Sequence, residues 1–329
     1  MYQEILCNFD NLREAYRLAH QGKTNAADVI EFDKNKFYNL NKLLKKLQNK
    51  EWSSIFRYYR FIITEPKERV VDAMLFEGRI VQHVLCDKIL RPYFEARLVK
   101  ENCACRQNKG TDYAVNLVKQ GMVRYLKTHT DGWVLKMDVR KYFPSIDRQV
   151  LKSMLAKFPD GEIVEMLHFI VDTAPDENGM PIGNQTSQWF ALYYLDTIDR
   201  IIKEKYRIKV YARYMDDLVI IDESKDKLKR LWSELAEVAQ TKLKLQFNSK
   251  TQLLPIHKGV SFLGWRIIQT KSHGVYMKLE NGKRKMRVDK INEIWWSDDI
   301  ESREARLCAV AANLDKGNTY MFQKRHGIK

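Results

Sequence analysis

Asp216 and Asp217 stand side by side between two apolar, β-branched runs, 209–214 and 218–221, and Asp138 closes a third apolar run that opens at Trp133. Two strands joined by an acidic tight turn read as a β-hairpin, and such a turn lifts its side chains to the rim of a buried sheet. An Asp-rich turn by itself does no more than reverse the chain. Asp138 adds to that reading, because a carboxylate at the end of a neighbouring strand would meet the pair if the three strands share one sheet. Three acids gathered without matching bases repel one another and call for cations. Hard divalent ions take oxygen ligands, and Mg²⁺ keeps part of its water shell while binding one or two carboxylates and substrate phosphates. Two such ions about 3.5–4 Å apart stabilise the attacking and leaving oxygens of phosphoryl transfer. Other metal chemistries fit less well: the 7 His have no helical ligand spacing, and Cys103-Ala104-Cys105 has no second cysteine pair to complete a zinc site. Those cysteines read as structural.

The elements that must position these acids follow from periodicity. Residues 1–57 read as helical, and 41–49 put leucines on one face and lysines on the other, a basic face that is either solvated or turned to RNA. Residues 58–66 read as a strand, Lys67-Glu68-Arg69 as a charged turn, Val70-Val71 as a returning strand and 75–89 as a helix. After Asp138, the run 143–147 leaves the strand, and Ser145 or Asp147 caps a helix over 148–157. Turns at 176–179 and 181–184 precede one long predicted helix, 186–205, with Phe190, Tyr193, Tyr194, Ile198, Ile201 and Ile202 on its buried face. A charged helix over 225–243 and a strand over 260–265 come next. Beyond Arg266 the composition predicts a small, basic, mostly helical end region, with Lys283, Arg284, Lys285 and Arg287 against phosphates.

Composition narrows the partners. With 329 residues, 45% apolar and 30% charged, and only 14 Gly and 7 Pro, the chain can bury large cores and is not low-complexity; two or three subdomains are expected. Fifty-seven Lys and Arg against 42 Asp and Glu leave a net charge of +15, which suits nucleic acid or an anionic membrane surface. No stretch approaches the roughly 18 apolar residues of a spanning helix, and Met1-Tyr2-Gln3-Glu4 puts an acid where a secretory leader wants basic charge. No membrane partner is therefore expected. Five scattered cysteines, an odd number, build no disulfide framework and suit a reducing cytosol. The sequon Asn184-Gln185-Thr186 is then a coincidence.

Two of these segments carry a resemblance. Tyr214-Met215-Asp216-Asp217 between two apolar strands resembles the catalytic hairpin of reverse transcriptases, and Lys136-Met137-Asp138-Val139-Arg140-Lys141-Tyr142-Phe143 resembles their first catalytic motif, with an aromatic five residues after the Asp. Phe262-Leu263-Gly264-Trp265 resembles the primer-grip strand, Lys250 the lysine of the preceding motif, and Lys67 with Arg69 the basic pair of the fingers, so the similarity spans residues 58–265. The resemblance implies an α+β, right-hand polymerase fold: an N-terminal helical extension (1–57), fingers (58–130), a palm (131–265) with a finger-side insertion near 148–178, and a basic helical thumb (266–329). It implies two Mg²⁺ ions, replaceable by Mn²⁺, on Asp138, Asp216, Asp217 and the carbonyl of Val139. Lys67 and Arg69 would neutralise the β and γ phosphates of an incoming dNTP, and Lys250 and Ile182 would line the same site. Phe143, packed under the sugar, would leave no room for a 2′-hydroxyl. Tyr214, Met215, Gln188, Phe262, Leu263 and Gly264 would lie against primer and template.

The segment Gly179-Met180-Pro181-Ile182-Gly183-Asn184-Gln185-Thr186-Ser187-Gln188 is more discriminating. Retroviral and group II intron enzymes carry a Gln-Gly pair there. An aliphatic residue before the Gly and Ser-Gln four residues later resemble the reverse transcriptases of diversity-generating retroelements, as does a chain of 329 residues without RNase H, endonuclease or integrase segments. That family copies a template-repeat RNA into cDNA with errors at template adenines, in the cytoplasm of a bacterial host, alongside a small, basic, oligomeric accessory variability protein. Ile182 in place of a polar amide is the expected source of the errors, with Arg69 second. Gly78 stands before Arg79 where many relatives have Asp, so Arg79 is given no catalytic role. Retron and phage-defence enzymes are the alternative within the chemistry, but the retron Val-Thr-Gly signature is missing after Trp265. A non-catalytic RNA-binding scaffold is the alternative of another class; the intact aspartate set speaks against it, since buried like charges are costly without metals.

Overall fold

A computed structural model describes residues 1–64, 68–270, 272, 274–297 and 299–328. Lys67 lies outside the described residues. Helices α1 (Phe9–His20), α2 (Ala27–Asp33), α3 (Lys36–Gln48) and α4 (Trp52–Ile55) lead to strands β1 (Tyr58–Ile63) and β2 (Arg69–Met74). Helix α5 (Phe76–Val84) continues through a π turn (Leu85–Leu90) into α6 (Arg91–Glu95), and α7 (Thr111–Leu126) precedes β3 (Trp133–Asp138). Then come α8 (Tyr142–Ser145), α9 (Arg148–Leu155), α10 (Gly161–Asp172), α11 (Gln185–Tyr194), α12 (Asp196–Arg200), β4 (Val210–Tyr214), β5 (Asp217–Asp222) and α13 (Lys225–Lys242). Strands β6 (Gln252–Pro255), β7 (Val260–Phe262), β8 (Trp265–Gln269) and β9 (Val275–Leu279) precede α14 (Asn281–Trp295), α15 (Ile300–Leu314) and α16 (Tyr320–Arg325). The chain divides into two compact units: Met1–Val99, Val139–Ile201 and Leu235–Gln246 form one, and Lys100–Asp138, Ile202–Glu234 and Phe247–Lys329 the other.

In the first unit, α3 buries Leu40, Leu43 and Leu47 while Lys46 on its basic side is bound to Glu77 at 2.6 Å, so part of that face is already neutralised. Phe32 and Phe76 meet edge to face at 5.1 Å beside Tyr16 and hold α1, α2 and α5 together. Arg79, given no catalytic role, is paired with Asp28 at 3.1 Å. Asp147 caps α9 by accepting from the Val150 N–H at 2.9 Å. The single long helix expected over 186–205 is broken. The N–H of Leu195 turns to the Tyr193 carbonyl, out of the i to i−4 ladder, and the chain resumes as α12 and then widens into a π turn, Ile201–Lys205.

The second unit holds a four-stranded antiparallel sheet in the order β4-β5-β3-β6 and a three-stranded one in the order β7-β8-β9. Val134, Val210, Ala212, Val219 and Ile221 pack with Val118 and Met122 of α7 and with Val260, Phe262, Ile267 and Met277 in one core. The strand expected over 260–265 is instead a hairpin, because Leu263 and Gly264 both take positive φ (50° and 87°) and turn β7 back onto β8. The end region beyond Arg266 therefore opens with strands. Its three helices bury a separate small core of Ile291, Ile294, Leu307, Val310, Leu314 and Phe322. Among the described residues all five cysteines are free, and no helix is long and apolar enough to cross a membrane.

Candidate active site

Strand β3 lies between β5 and β6, and its register sets Asp138 opposite Asp217. On the other side of β5, Tyr214 pairs with Asp217, which leaves Met215 and Asp216 as a two-residue turn. Met215 occupies the left-handed region (φ 53°), a strained conformation for a side chain of its size. Fully buried Arg213 braces it by donating from Nη1 to the Met215 carbonyl at 2.8 Å.

The electrostatics of Asp216 and Asp217 differ from those of an ordinary turn. Burial first, then the charge and hydrogen bond of the neighbouring Asp138, push the Asp216 carboxyl up to about 6 against the pull of Arg213. Burial likewise pushes Asp217 up to about 7, with Lys136 opposing and Asp138 and Asp216 adding to the rise. Asp217 Oδ1 is buried without a hydrogen-bond partner, and its Oδ2 lies 3.7 Å from Lys136 Nζ. Among the described residues no group of three or more His, Cys, Asp or Glu is placed so that it could hold a metal ion, so the three-aspartate cluster expected from the sequence is not assembled as such. The donors nevertheless fit a hard divalent ion: all are carboxylate oxygens, one is orphaned, and Mg²⁺ is held by one or two carboxylates with phosphates and water completing its shell.

Sequence reasoning missed two residues here. Asn248 holds Asp138 at two points, donating from its backbone N–H to the Asp138 carbonyl at 2.7 Å and from Nδ2 to Oδ2 at 3.3 Å. Lys250, singled out instead, is exposed, and its N–H donates to Asn248 Oδ1 at 3.1 Å. Lys136, two residues before Asp138, carries no signal of its own in the sequence. Asn248→Ala should lower kcat about tenfold, in the range typical of residues that orient a ligand, while leaving the KM for dNTP unchanged in steady-state primer extension. An unchanged kcat would remove the role given to Asn248.

The other sequence-selected residues fall in both units. In the second, buried Phe262 ends β7, and Leu263 and Gly264 form its turn; a Cβ on Gly264 would sit 3.0 Å from Lys283 Cγ, so the Lys283 stem lies over the turn. Lys283, Arg284 and Lys285 are exposed on α14, Arg284 lies over the Phe322 ring at 5.5 Å, and Arg287 donates to Asn313 at 2.8 Å. In the first, Arg69 is exposed at the start of β2, opposite Ile63, and Gln188 is half-buried on α11. The Ile182 carbonyl accepts from the Asp72 N–H of β2 at 3.1 Å, and Asn184 bridges the Asp72 carbonyl and the Met74 N–H. Gly183 (φ 112°) comes so close to Val71 that a Cβ would meet Cγ1 at 2.6 Å. Phe143 is half-buried on α8, and its carbonyl accepts from the Met180 N–H at 2.9 Å. Val139 follows Asp138 directly and is buried, as the first residue of this unit's second segment.

Solved structures of similar fold include apo telomerase from Candida tropicalis truncated from its C-terminal domain (TM-score 0.53, 14% identity, covering 69% of this chain and 55% of that one). Telomerase from Candida albicans in complex with the TWJ fragment of telomeric RNA matches with TM-score 0.53 at 11% identity, over 85% of this chain and 63% of that one. The chain thus spans 55% to 63% of those telomerase chains, and at such identity the likeness concerns the fold: α+β, right-hand polymerase. No curated protein matches the sequence. Residues 64–267 match the family model "Reverse transcriptase (RNA-dependent DNA polymerase)". That stretch is well over half of the 329 residues and carries both facing aspartates, the strained turn and the Ile182 loop; the chain belongs to the reverse transcriptase family.

Proposed function

We propose that this reverse transcriptase copies a template-repeat RNA into cDNA with adenine-directed errors, as the polymerase of a diversity-generating retroelement whose mutated copy replaces a variable repeat in a target gene. The observation that carries the polymerase reading is the register pairing of Asp138 with Asp217 beside the Asp216 turn. Asp138, Asp216 and Asp217, with the Val139 carbonyl, would hold two Mg²⁺ ions, or Mn²⁺ in their place, whose positive charge favours attack by a primer hydroxyl on a dNTP phosphate. The protein's own part is to fix the carboxylates through Asn248, Lys136 and Arg213. Lys67, Arg69 and Lys250 are assigned to the triphosphate, Phe143 to the sugar and Ile182 to the nascent pair. Tyr214, Met215, Gln188, Phe262, Leu263 and Gly264 are assigned to primer and template. Lys283, Arg284, Lys285 and Arg287 of the thumb would meet backbone phosphates, so binding should weaken steeply with salt.

The finer reading is supported by the Ile182-Gly183 sequence and by its attachment to β2, the strand that opens with Arg69. An aliphatic side chain there offers no hydrogen bond to police the pair. Template RNA as partner is in keeping with the telomerase solved with an RNA fragment. A small basic accessory protein and a bacterial cytoplasmic location belong to the same proposal. The test is extension of a DNA primer on an RNA template by the purified chain, with the cDNA sequenced; no dNTP incorporation would refute the polymerase. Ile182→Gln should lower misincorporation opposite template adenine severalfold, more than opposite other bases. An unchanged error spectrum would take that role from Ile182.

A further inference from the structure

One face of the four-stranded sheet carries Val134, Lys136 and Asp138 from β3, with Ile221, Val219 and Asp217 opposite them on β5. Its valines and isoleucine belong to the core shared with α7 and the three-stranded sheet. Lys136 is the one cation in this row, its side chain 26% exposed, and a lysine stem among apolar neighbours is held to few rotamers. Its Nζ donates to the Ser261 carbonyl at 2.7 Å and lies 3.7 Å from Asp217 Oδ2. Ser261 is the middle residue of β7, an edge strand, and sits two residues before the Leu263-Gly264 turn. An edge strand leaves alternate carbonyls without a strand partner, and here one of them is taken by an ammonium whose other neighbour is an active-site carboxylate.

We propose that Lys136 is a positioning residue that ties β7 to the Asp217 carboxylate and so fixes the Leu263-Gly264 turn relative to the catalytic hairpin. This rests on the polymerase reading above, in which that turn holds the primer end. A lysine serving only as counter-ion to Asp217 would not need the Ser261 carbonyl. With the tie removed, β7 keeps its pairing to β8 but loses its lateral anchor, and the primer end is held less accurately at the carboxylates.

The test compares Lys136→Met, which keeps the stem and loses the donor, with Lys136→Arg, which keeps charge and donor. Hydrogen–deuterium exchange over 260–265 should rise in Lys136→Met and return to wild-type protection in Lys136→Arg. In primer extension, Lys136→Met should lose about tenfold in kcat, with dNTP KM and affinity for primer–template duplex unchanged, and Lys136→Arg should recover most of it. Unchanged exchange over 260–265 in Lys136→Met overturns the tie, and a kcat loss without that change marks a counter-ion alone. Failure of Lys136→Arg to restore either readout also overturns it. If the wild-type chain extends no primer, the polymerase reading fails, while the exchange comparison still decides whether Lys136 anchors β7.

Discussion

Asp216→Asn combined with Asp217→Asn is expected to abolish dNTP incorporation on an RNA template, by at least about 10³-fold, because both charges that would hold divalent ions at the reacting phosphate are gone. RNA binding, which the proposal assigns to phosphate contacts elsewhere, should survive within about twofold. The same variant should be more stable than the wild type without divalent ions. Both carboxyls sit above their ordinary value of 3.8, at about 6 and about 7, through burial and through the neighbouring Asp138. A carboxyl whose folded value is raised binds its proton more tightly in the native chain, so native stability is lost as pH rises from about 4 to about 7. The Asn pair lacks that loss, and its melting temperature at pH 7.5 should exceed the wild type's by a few degrees, about 2–4 °C per kcal/mol for a chain of this size. Added Mg²⁺ should raise the wild-type melting temperature and leave the variant's unmoved. Full activity in the double variant, or a Mg²⁺ response it shares with the wild type, would remove the carboxylates from the metal role.

Phe143→Ala should relax sugar discrimination, raising the efficiency of ribonucleotide incorporation relative to dNTP by about 10–100-fold, the scale at which a filled apolar contact separates substrates. The backbone around the ring would let it act as a fixed wall. Its neighbour Tyr142 is buried and donates its hydroxyl to the Ala191 carbonyl, which anchors α8 to α11. The Phe143 carbonyl is taken by the Met180 N–H. Gly179 (φ 75°) lies so near Pro144 that a Cβ would meet its Cα at 2.5 Å, so the backbone on either side of the ring is held. The ring itself remains half exposed, on a scaffold with little freedom. Truncation should leave the fold intact, since most of what fixes α8 is backbone and Tyr142. Single-turnover incorporation of matched ribo- and deoxynucleotides reads the ratio directly, and an unchanged ratio would return Phe143 to ordinary packing.

Much of the site was legible because its signals are local. The apolar runs on either side of Met215, Asp216 and Asp217 specify a hairpin, and Asp147 announces the start of α9 by capping it. Where reasoning failed, the deciding interaction was distant or the pattern ambiguous. The apolar stripe over 186–205 persists through Leu195, so periodicity could not reveal that one N–H leaves the ladder there. Residues 260–265 read as one strand because Leu263 is apolar, although its positive φ makes it a turn residue. Asn248 carried no signal at all, since its meaning comes from an amide reaching Asp138 across more than a hundred residues of sequence.

The amino-acid order by itself determined which chemistry was available: carboxylates at the ends of apolar strands, an excess of basic charge for a polyanion, and an aromatic and an aliphatic residue at spacings that resemble a polymerase. Only the tertiary structure decided that Asp138 faces Asp217, that Lys136 reaches both an acid and the edge of β7, and that Asp216 and Asp217 hold their protons unusually tightly. Composition and periodicity are properties of neighbouring residues. Strand register, burial and the fields they create arise when segments far apart in sequence pack against each other, and no local pattern encodes them.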